Sequence, residues 1–387
     1  MDTNHLVVVG GGYAGVLAAL RAQARAPRCR VTLVSASDVF IERIRLHELA
    51  ATGRPVAHPL RRFLRRGISL HQATAHRVDA GRSVLETSAG ELAFDALVLA
   101  TGSRVRRTAV PGAAEHASVV EHGEMARLHH RLTDASGARH VLVCGGGLTA
   151  VECATALARR PDVTVTLVTQ GRLEPRLSAR GYEALRAAVT RQGVRVHEHA
   201  TVAELTAGRA VTDAGALDFD ECVWACGMEG LPLAADSGLG VNDRGQVLVD
   251  ANLSPCSGGA PNIFVAGDAA AFAAPPGHRV DMGCKTAMPT GAHAGENAAA
   301  VVMGRPPAPF AFRDALYCIA LGDGALAQLV EPDGTTGHRI WQGWRAAVTK
   351  RAINRFTVWA LLAEKRGLLR YRWPRPANRG LLAEPAP

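Results

Sequence analysis

The stretch that decides the fold is HLVVVGGGYAG, residues 5–15, in which an apolar, β-branched run leads into a cluster of glycines. An alanine-rich segment of helical pattern and a second β-branched run follow, so the pattern predicts a βαβ unit with parallel strands. Gly10, Gly12 and Gly15 have the spacing that permits a tight turn and lets the backbone approach a pyrophosphate at a helix N-terminus. The segment is therefore predicted to bind a dinucleotide.

The same plan recurs 135 residues later, where the strand-like run 141–144 leads into Gly145 and Gly147. Ala150 takes the third glycine position, as this fingerprint allows. Two copies predict two separate dinucleotide-binding folds in one chain.

Neither copy has the acidic residue that usually binds a ribose hydroxyl about 20 residues further on. Ser35 takes that position in the first copy, with Asp38 close enough to substitute, and Thr169 or Gln170 takes it in the second. An acid at this position would repel the 2′-phosphate of NADPH. Because it is missing and Arg172 and Arg176 are nearby, the second site is compatible with NADPH as well as NADH. The two arginines are equally compatible with solvated surface charges.

Composition narrows the class of protein further. The chain has 387 residues, 48% of them hydrophobic, enough for two or three domains with their own cores. No apolar run approaches the ~18 residues of a membrane span, and the first strand starts too early for a signal peptide, so a cytoplasmic location is expected.

The eight cysteines contain no CxxC pair and are predicted to be reduced and structural, with no metal site.

Four motifs occur in a fixed order: Gly10–Gly15, Ala100-Thr101-Gly102, Gly145–Glu152 and Gly267-Asp268. In this order they resemble the motifs of the two-dinucleotide-binding flavoproteins, which include disulfide reductases, ferredoxin reductases, apoptosis-inducing-factor-like proteins and type II NADH dehydrogenases. The resemblance covers about residues 5–305. It implies an α/β protein with two Rossmann-like domains, one for FAD and one for NADH or NADPH.

The resemblance also implies a domain plan. Residues 1–108 and 235–305 would form a discontinuous FAD domain, residues 109–234 an NAD(P) domain inserted in it, and residues 306–387 a hairpin with a basic, tryptophan-rich helical tail.

By the same resemblance, Asp268 binds the ribityl chain of FAD and Glu152 lies near the nicotinamide. The residues expected to contact FAD are Gly10, Gly12, Tyr13, Ala14, Gly15, Ser35, Arg43, Ala100, Thr101, Gly102, Gly267, Asp268 and Ala287. Those expected to contact NAD(P) are Gly145, Gly147, Leu148, Thr149, Glu152 and Gly227.

The stretch FIERIRLHE, residues 40–48, lacks the cysteine pair that faces the flavin in disulfide reductases. That class is therefore excluded, and the chain most resembles the type II NADH dehydrogenases, whose acceptors are quinones. Arg43 and His47 are four residues apart and are expected to share one side of a helix, with Glu48 adjacent. They could donate protons to a quinone-like acceptor or form a structural ion-pair cluster. Lys285 could add positive charge beside the flavin or be an exposed lysine.

The C-terminal segment carries most of the net charge of +9: residues 341–375 hold nine basic residues and one acid, and four of the five tryptophans. Six large apolar residues recur there close to helical spacing: Trp341, Trp344, Val348, Phe356, Trp359 and Leu362. This combination is typical of an interfacial helix on anionic lipid, which would make the protein peripheral on the inner face of the cell membrane. The tryptophans could instead pack on the FAD domain or in a homodimer. The fold gives no support for nucleic acid.

The predicted function is hydride transfer from NADH or NADPH to FAD and then to a quinone-like acceptor. Three alternatives stay open: a biosynthetic flavin dehydrogenase or oxidase acting on an aromatic metabolite, a ferredoxin-reductase-like electron-transfer protein, and a non-catalytic flavoprotein.

Overall fold

The computed structural model describes residues 4–107, 110–272, 282–331 and 335–375. Two five-stranded parallel sheets dominate it. The helices in the described ranges are α1 (Tyr13–Arg25), α2 (Leu46–Thr52), α3 (Ala113–His116), α4 (His122–Asp134), α5 (Leu148–Leu157), α6 (Ala179–Arg191), α7 (Leu233–Asp236), α8 (Cys284–Val302) and α9 (Gly343–Lys365). Short 3-10 turns cover Arg43–Arg45, Leu60–Phe63 and Gly267–Ala269.

The first sheet holds the first glycine motif. Its parallel strands lie in the order Ile263–Val265, Ala96–Leu99, His5–Val9, Arg30–Ser35 and Ile68–Gln72. The central strands are buried on both faces, which explains why their sequences are continuous apolar runs rather than alternating ones.

The second sheet repeats this arrangement with the second motif. Its parallel strands lie in the order Ser118–Val119, Glu221–Trp224, Arg139–Cys144, Val163–Val168 and Arg195–His197. Two small antiparallel sheets accompany the large ones: Ala75–Asp79, Val84–Thr87 and Gly90–Ala93, and Val202–Thr206, Arg209–Thr212 and Gly215–Asp218. Paired strands complete the set: Ser103–Val105 with Met228–Gly230, Val247–Val249 with Ala270–Phe272, and Val39–Ile41 with Ala57–Pro59.

Helices α1 and α8 cross at close range because small residues line their contact. A Cβ atom on Gly291 or Gly295 would overlap the backbone of Ala14 or Ala18. α8 begins at Cys284, seven residues before the start expected from its alanine pattern at Gly291. Pro289 is the sixth residue of this helix, where its missing N–H removes one hydrogen bond from the helix. The segment 284–290, expected to precede the helix, is therefore its first two turns.

The C-terminal unit is a three-stranded antiparallel sheet, Leu316–Leu321, Gly324–Val330 and Thr336–Gln342, followed by α9. The predicted hairpin around Gly322-Asp323-Gly324 is present. Trp341 was expected on the helix but lies in the last strand. Leu362 lies on the helix and is half-buried against the hydrophobic core around the first sheet. The predicted helical spacing is therefore wrong at its first residue.

A buried arginine fixes the end of α9 onto α1. Arg21 is 2% exposed and pairs with Glu364 at 2.6 Å, with Glu296 and with the carbonyl of Tyr371. A buried guanidinium needs such partners, so this cluster specifies where the C-terminal segment docks. The predicted domain boundaries stay a prediction, and the one between residues 108 and 109 lies outside the described residues.

Candidate active site

The first glycine turn is shaped by two close approaches and one open space. A Cβ on Gly10 would overlap the carbonyl oxygen of Ala100, and one on Gly15 would overlap that of Gly10. Gly10 also has φ +117°, which side chains rarely adopt. A Cβ on Gly12 would meet nothing within 4 Å. Gly10 and Gly15 are thus required by the fold, whereas Gly12 leaves space for a ligand at the N-terminus of α1.

The second glycine turn has the same design. Gly145 has φ +133°, and its Cβ would lie 2.7 Å from the carbonyl oxygen of Ala225. Gly147 again faces open space, and Leu148 and Thr149 follow it as the first residues of α5. Gly227, with φ +73°, follows the neighbouring strand of the sheet. Both turns therefore fit a pyrophosphate, which would sit among free N–H groups at a helix N-terminus.

Several predicted FAD contacts converge beyond the first turn. Asp268 accepts a 2.6 Å hydrogen bond from Ser103 Oγ and a 2.7 Å bond from the Gly283 N–H, and its carboxylate retains lone pairs for a ribityl hydroxyl. Arg43 Nη1 donates to the Ser103 carbonyl at 2.7 Å. Ala287 lies 3.9 Å from a Cβ built on Gly267.

Two further FAD candidates, Ser35 and Tyr13, lie beside the first glycine turn. Ser35 Oγ faces Gly11 of the turn and donates to the Ser37 carbonyl at 2.7 Å. Tyr13 is buried edge-on against Phe40, with ring centroids 4.9 Å apart. Hydrogen bonds thus bring Arg43, Ser103, Asp268 and Gly283 together, and a carboxylate and a guanidinium at this place fit FAD.

The predicted pairing of Arg43, His47 and Glu48 is wrong. Arg43 belongs to a 3-10 turn that ends before α2 begins, so it does not share a helix side with His47. The Arg43 guanidinium reaches Ser103, and Glu48 pairs with Arg45 at 2.8 Å. A 3-10 turn winds more tightly than an α-helix, with about 3.0 rather than 3.6 residues per turn, so residues four apart no longer share one side.

His47 instead belongs to a buried cluster that joins three elements. Glu152 on α5 lies 2.7 Å from Lys350 Nζ on α9 and 3.8 Å from His47 Nδ1 on α2. The same carboxylate accepts a 3.0 Å hydrogen bond from the Ala320 N–H, and Lys350 also donates to the Cys318 carbonyl at 3.1 Å.

The cluster fixes the protonation of its members. Burial alone would raise the pKa of Glu152, but the Lys350 ammonium, His47 and the Ala320 N–H lower it overall. Burial opposes the charge on Lys350, yet the Glu152 carboxylate raises the Lys350 pKa. Burial dominates at His47 and lowers its pKa. At neutral pH the cluster therefore holds a carboxylate, an ammonium and a neutral imidazole.

Lys350 was not among the predicted site residues. It is 198 residues from Glu152 in the chain, and its surroundings in sequence are those of any basic residue on an amphipathic helix. Its flanking small residues, Ala346 and Ala347, are buried against the C-terminal sheet. Two small apolar residues one turn before a lysine are the one sequence signal that could have indicated that this side of α9 faces the protein.

Lys285, the other predicted catalytic residue, is engaged elsewhere. It forms an ion pair with Asp314, and its ammonium lies 4.5 Å from the ring centroid of Tyr317. These contacts tie the start of α8 to the C-terminal unit.

A groove of about 510 Å³ opens from the cluster to the surface. His47, Glu152 and Lys350 lie among its lining residues, and Ala156 and Arg159 continue it along α5. A site of this size with convergent polar groups is typical of small-molecule binding.

The two arginines near the second ribose position are also engaged. Arg172 donates to the carbonyls of Pro175 and Leu177 at 3.0 and 2.8 Å, and Arg176 pairs with the fully buried Glu174. Thr169 faces Gly146 of the turn.

Within the described ranges, no helix is long and apolar enough to cross a membrane. In those ranges, too, no three His, Cys, Asp or Glu side chains are grouped so that they could hold a metal ion.

A sequence model of the pyridine nucleotide-disulphide oxidoreductase family matches residues 4–298, so the chain belongs to that family. An NADH dehydrogenase-like protein of Mycobacterium tuberculosis is 30% identical over 379 residues, covering 91% of this chain and 93% of the relative. A type II NADH:quinone oxidoreductase of Staphylococcus saprophyticus is 25% identical over 414 residues, covering 95% and 99%.

Two solved structures share the fold. The sulfide:quinone oxidoreductase of Aquifex aeolicus has a TM-score of 0.77 at 19% identity and covers 94% of this chain and 92% of its own. NDH2 of Plasmodium falciparum in complex with NADH has a TM-score of 0.75 at 14% identity and covers 94% and 98%. The predicted family and the α/β class with two Rossmann-like domains are confirmed. The protein is an NADH dehydrogenase-like oxidoreductase, and its family implies FAD and NADH as cofactors.

Proposed function

We propose that this protein oxidises NADH through FAD and reduces a quinone-like acceptor. The observation that carries the proposal is the buried cluster of His47, Glu152 and Lys350 at the inner end of an open groove. The absence of a cysteine pair in residues 40–48 requires electrons to leave directly for an external acceptor. The names of the relatives, NADH dehydrogenase-like and NADH:quinone oxidoreductase, support the same donor and acceptor.

Bound FAD would supply the two-electron chemistry between donor and acceptor, which belongs to the cofactor rather than to side chains. The residues of the chain would bind, orient and supply charge. The Lys350 ammonium can stabilise negative charge that develops on an acceptor oxygen. The neutral His47 ring can relay a proton to that oxygen, because its N–H gives one proton while its other ring nitrogen takes one from water in the groove.

Glu152 would have two roles in this scheme. Its carboxylate keeps Lys350 protonated, as the raised pKa of that ammonium indicates. The family resemblance also implies that Glu152 lies near the nicotinamide. Donor and acceptor would then approach the same cluster in turn. We therefore expect parallel double-reciprocal plots, which are characteristic of a ping-pong mechanism.

The experiment uses the purified holoenzyme. Steady-state NADH and NADPH oxidation is measured with 1,4-naphthoquinone, with ferredoxin and without an acceptor other than air. NADH with naphthoquinone is expected to give the highest rate, Lys350→Met is expected to lower kcat by at least tenfold, and Lys365→Met on the same helix is the control. The Lys365 ammonium donates to the Arg62 carbonyl, and Lys365 is not among the residues that line the groove. Preference for ferredoxin, or oxidase activity that naphthoquinone does not increase, would contradict the proposal.

We also propose that α9 binds an anionic membrane surface, which would place the enzyme on the inner face of the cell membrane. Trp344, Val348, Phe356 and Trp359 are 70%, 50%, 44% and 53% exposed, unusual values for large apolar side chains. Arg345 lies beside them, with its guanidinium 5.5 Å from the Trp344 ring. Trp373, by contrast, is 8% exposed and packs on the protein.

The test is sedimentation with vesicles that contain phosphatidylglycerol. The wild type should pellet with them, and Trp344→Ser with Trp359→Ser should reduce the bound fraction at least fivefold. Unchanged pelleting of the double variant, or a dimer that the double variant breaks, would contradict the membrane proposal and favour a protein partner.

A further inference from the structure

The groove beside the buried cluster is strongly basic. It is lined by three acids and seven arginines or lysines: Glu42, Glu48, Glu152, Arg45, Arg54, Arg159, Arg160, Lys350, Arg351 and Arg355. An excess of positive charge in one cleft concentrates anions there. A groove for a neutral quinone needs no such excess.

Most of the basic side chains are neutralised by a partner. Arg45 pairs with Glu42 and Glu48, Arg159 with Asp323, Arg160 with Asp162 and Lys350 with Glu152. Three arginines are different: in the described residues, no ion pair involves Arg54, Arg351 or Arg355.

These three arginines all line the groove. Arg351 and Arg355 are four residues apart on α9 and therefore share a helix face, and Arg54 directly follows the end of α2. All three are exposed, whereas the cluster of His47, Glu152 and Lys350 is largely buried. The groove thus combines a buried polar cluster with three exposed guanidinium groups.

The pyrophosphate of NADH does not account for this charge. Its expected place is the turn before Leu148 at the start of α5, whereas the groove extends to Arg159, beyond the other end of that helix. At 1.5 Å per residue, these points are separated by about 16 Å.

We propose that the groove selects acceptors that carry an acidic group, such as a carboxylate, a sulfonate or an acidic hydroxyl on a quinone-like ring. The ring would enter toward His47 and Lys350, and the anionic substituent would bind Arg54, Arg351 and Arg355. Guanidinium groups suit this role because they are always charged and can bind carboxylate or sulfonate oxygens in pairs. This inference rests on the proposed function, since it names the substrate class of the same site.

The test compares two acceptors that differ by one charge, 1,4-naphthoquinone and 1,4-naphthoquinone-2-sulfonate, with the holoenzyme. The variants are Arg355→Ala and Arg351→Ala/Arg355→Ala, and the charge-matched control is Arg366→Ala, an exposed arginine at the end of α9 outside the groove. Flavin content and thermal midpoint verify that each variant is folded.

In Arg355→Ala, KM for the sulfonate should rise about five- to tenfold, as expected for losing a partly exposed charged contact, and further in the double variant. KM for the neutral quinone, KM for NADH and kcat should stay within twofold, and Arg366→Ala should match the wild type. Equal shifts for both quinones, no shift, or a parallel rise in KM for NADH would overturn the proposal; the last would assign the arginines to the nucleotide.

Failure of the proposed function has a different signature. In that case the wild type would reduce neither quinone although NADH bleaches its flavin. The groove is then tested by calorimetric titration of the oxidised holoenzyme with the sulfonate. Binding that weakens at least fivefold in the double variant supports an anion site, and binding that is absent or unaltered refutes it.

Discussion

Removing either partner of the Glu152–Lys350 pair should destabilise the protein strongly. The two atoms lie 2.7 Å apart, and the side chains are 10% and 15% exposed. At that distance, with an effective dielectric constant of about 20, their attraction is about 6 kcal/mol. Desolvation offsets much of this, but removing one partner leaves the other charge buried, which costs about 3–5 kcal/mol.

The assay is urea unfolding of the holoenzyme at pH 7, followed by circular dichroism and flavin fluorescence. Glu152→Gln and Lys350→Met should each lower the free energy of unfolding by about 3 kcal/mol or more, and the double variant by about 2 kcal/mol less than their sum. The control cycle uses Arg82 and Glu91, which are 3.0 Å apart but 58% and 55% exposed and should show little coupling.

Additivity of the two single substitutions within about 0.5 kcal/mol would refute the coupled, buried pair. Loss of activity without loss of stability would give Lys350 a purely chemical role.

Three further outcomes are expected. Gly12→Ala should fold but lose FAD, because the new Cβ enters the open space at the N-terminus of α1; normal flavin content would contradict this. The free energy of unfolding of His47→Asn should depend less on pH below about pH 6.5 than that of the wild type. Burial lowers the pKa of His47, so the wild type takes up a proton on unfolding below about pH 6.5 and loses up to ~1.4 kcal/mol per pH unit; equal slopes would argue against it. Trp359→Ser should reduce the vesicle-bound fraction more at high salt than at low salt, because screening of the charge attraction leaves binding dependent on the apolar contacts. An equal reduction at both salt concentrations would count against lipid binding.

The parts of the fold that are encoded locally could be predicted from the sequence. Glycines at fixed spacing between a β-branched run and an alanine-rich run define both turns, because close approaches such as that of Gly15 to Gly10 allow no other residue. The strand that precedes Gly267 was recognisable in the same way, and it brings Asp268 to the predicted FAD site.

The sequence predictions failed where contacts between residues far apart in the chain determine the structure. The partner of His47 is Glu152, on another sheet's helix, and no periodicity reveals that contact. Lys350 closes the cluster from α9, whose docking depends on Arg21 near the opposite end of the chain. Trp341 satisfied a helical spacing but was drawn into a strand by pairing with Ala327.

An anaerobic titration tests the central claim, that one chain holds FAD and NADH sites and passes electrons straight to a quinone-like acceptor. The purified wild type should be yellow, one equivalent of NADH should bleach the flavin, and one equivalent of naphthoquinone should restore it. Gly147→Ala should keep FAD but resist bleaching, because its Cβ enters the open space at the start of α5. A wild-type flavin that NADH does not bleach, or that needs an added dithiol to pass its electrons on, would contradict that claim.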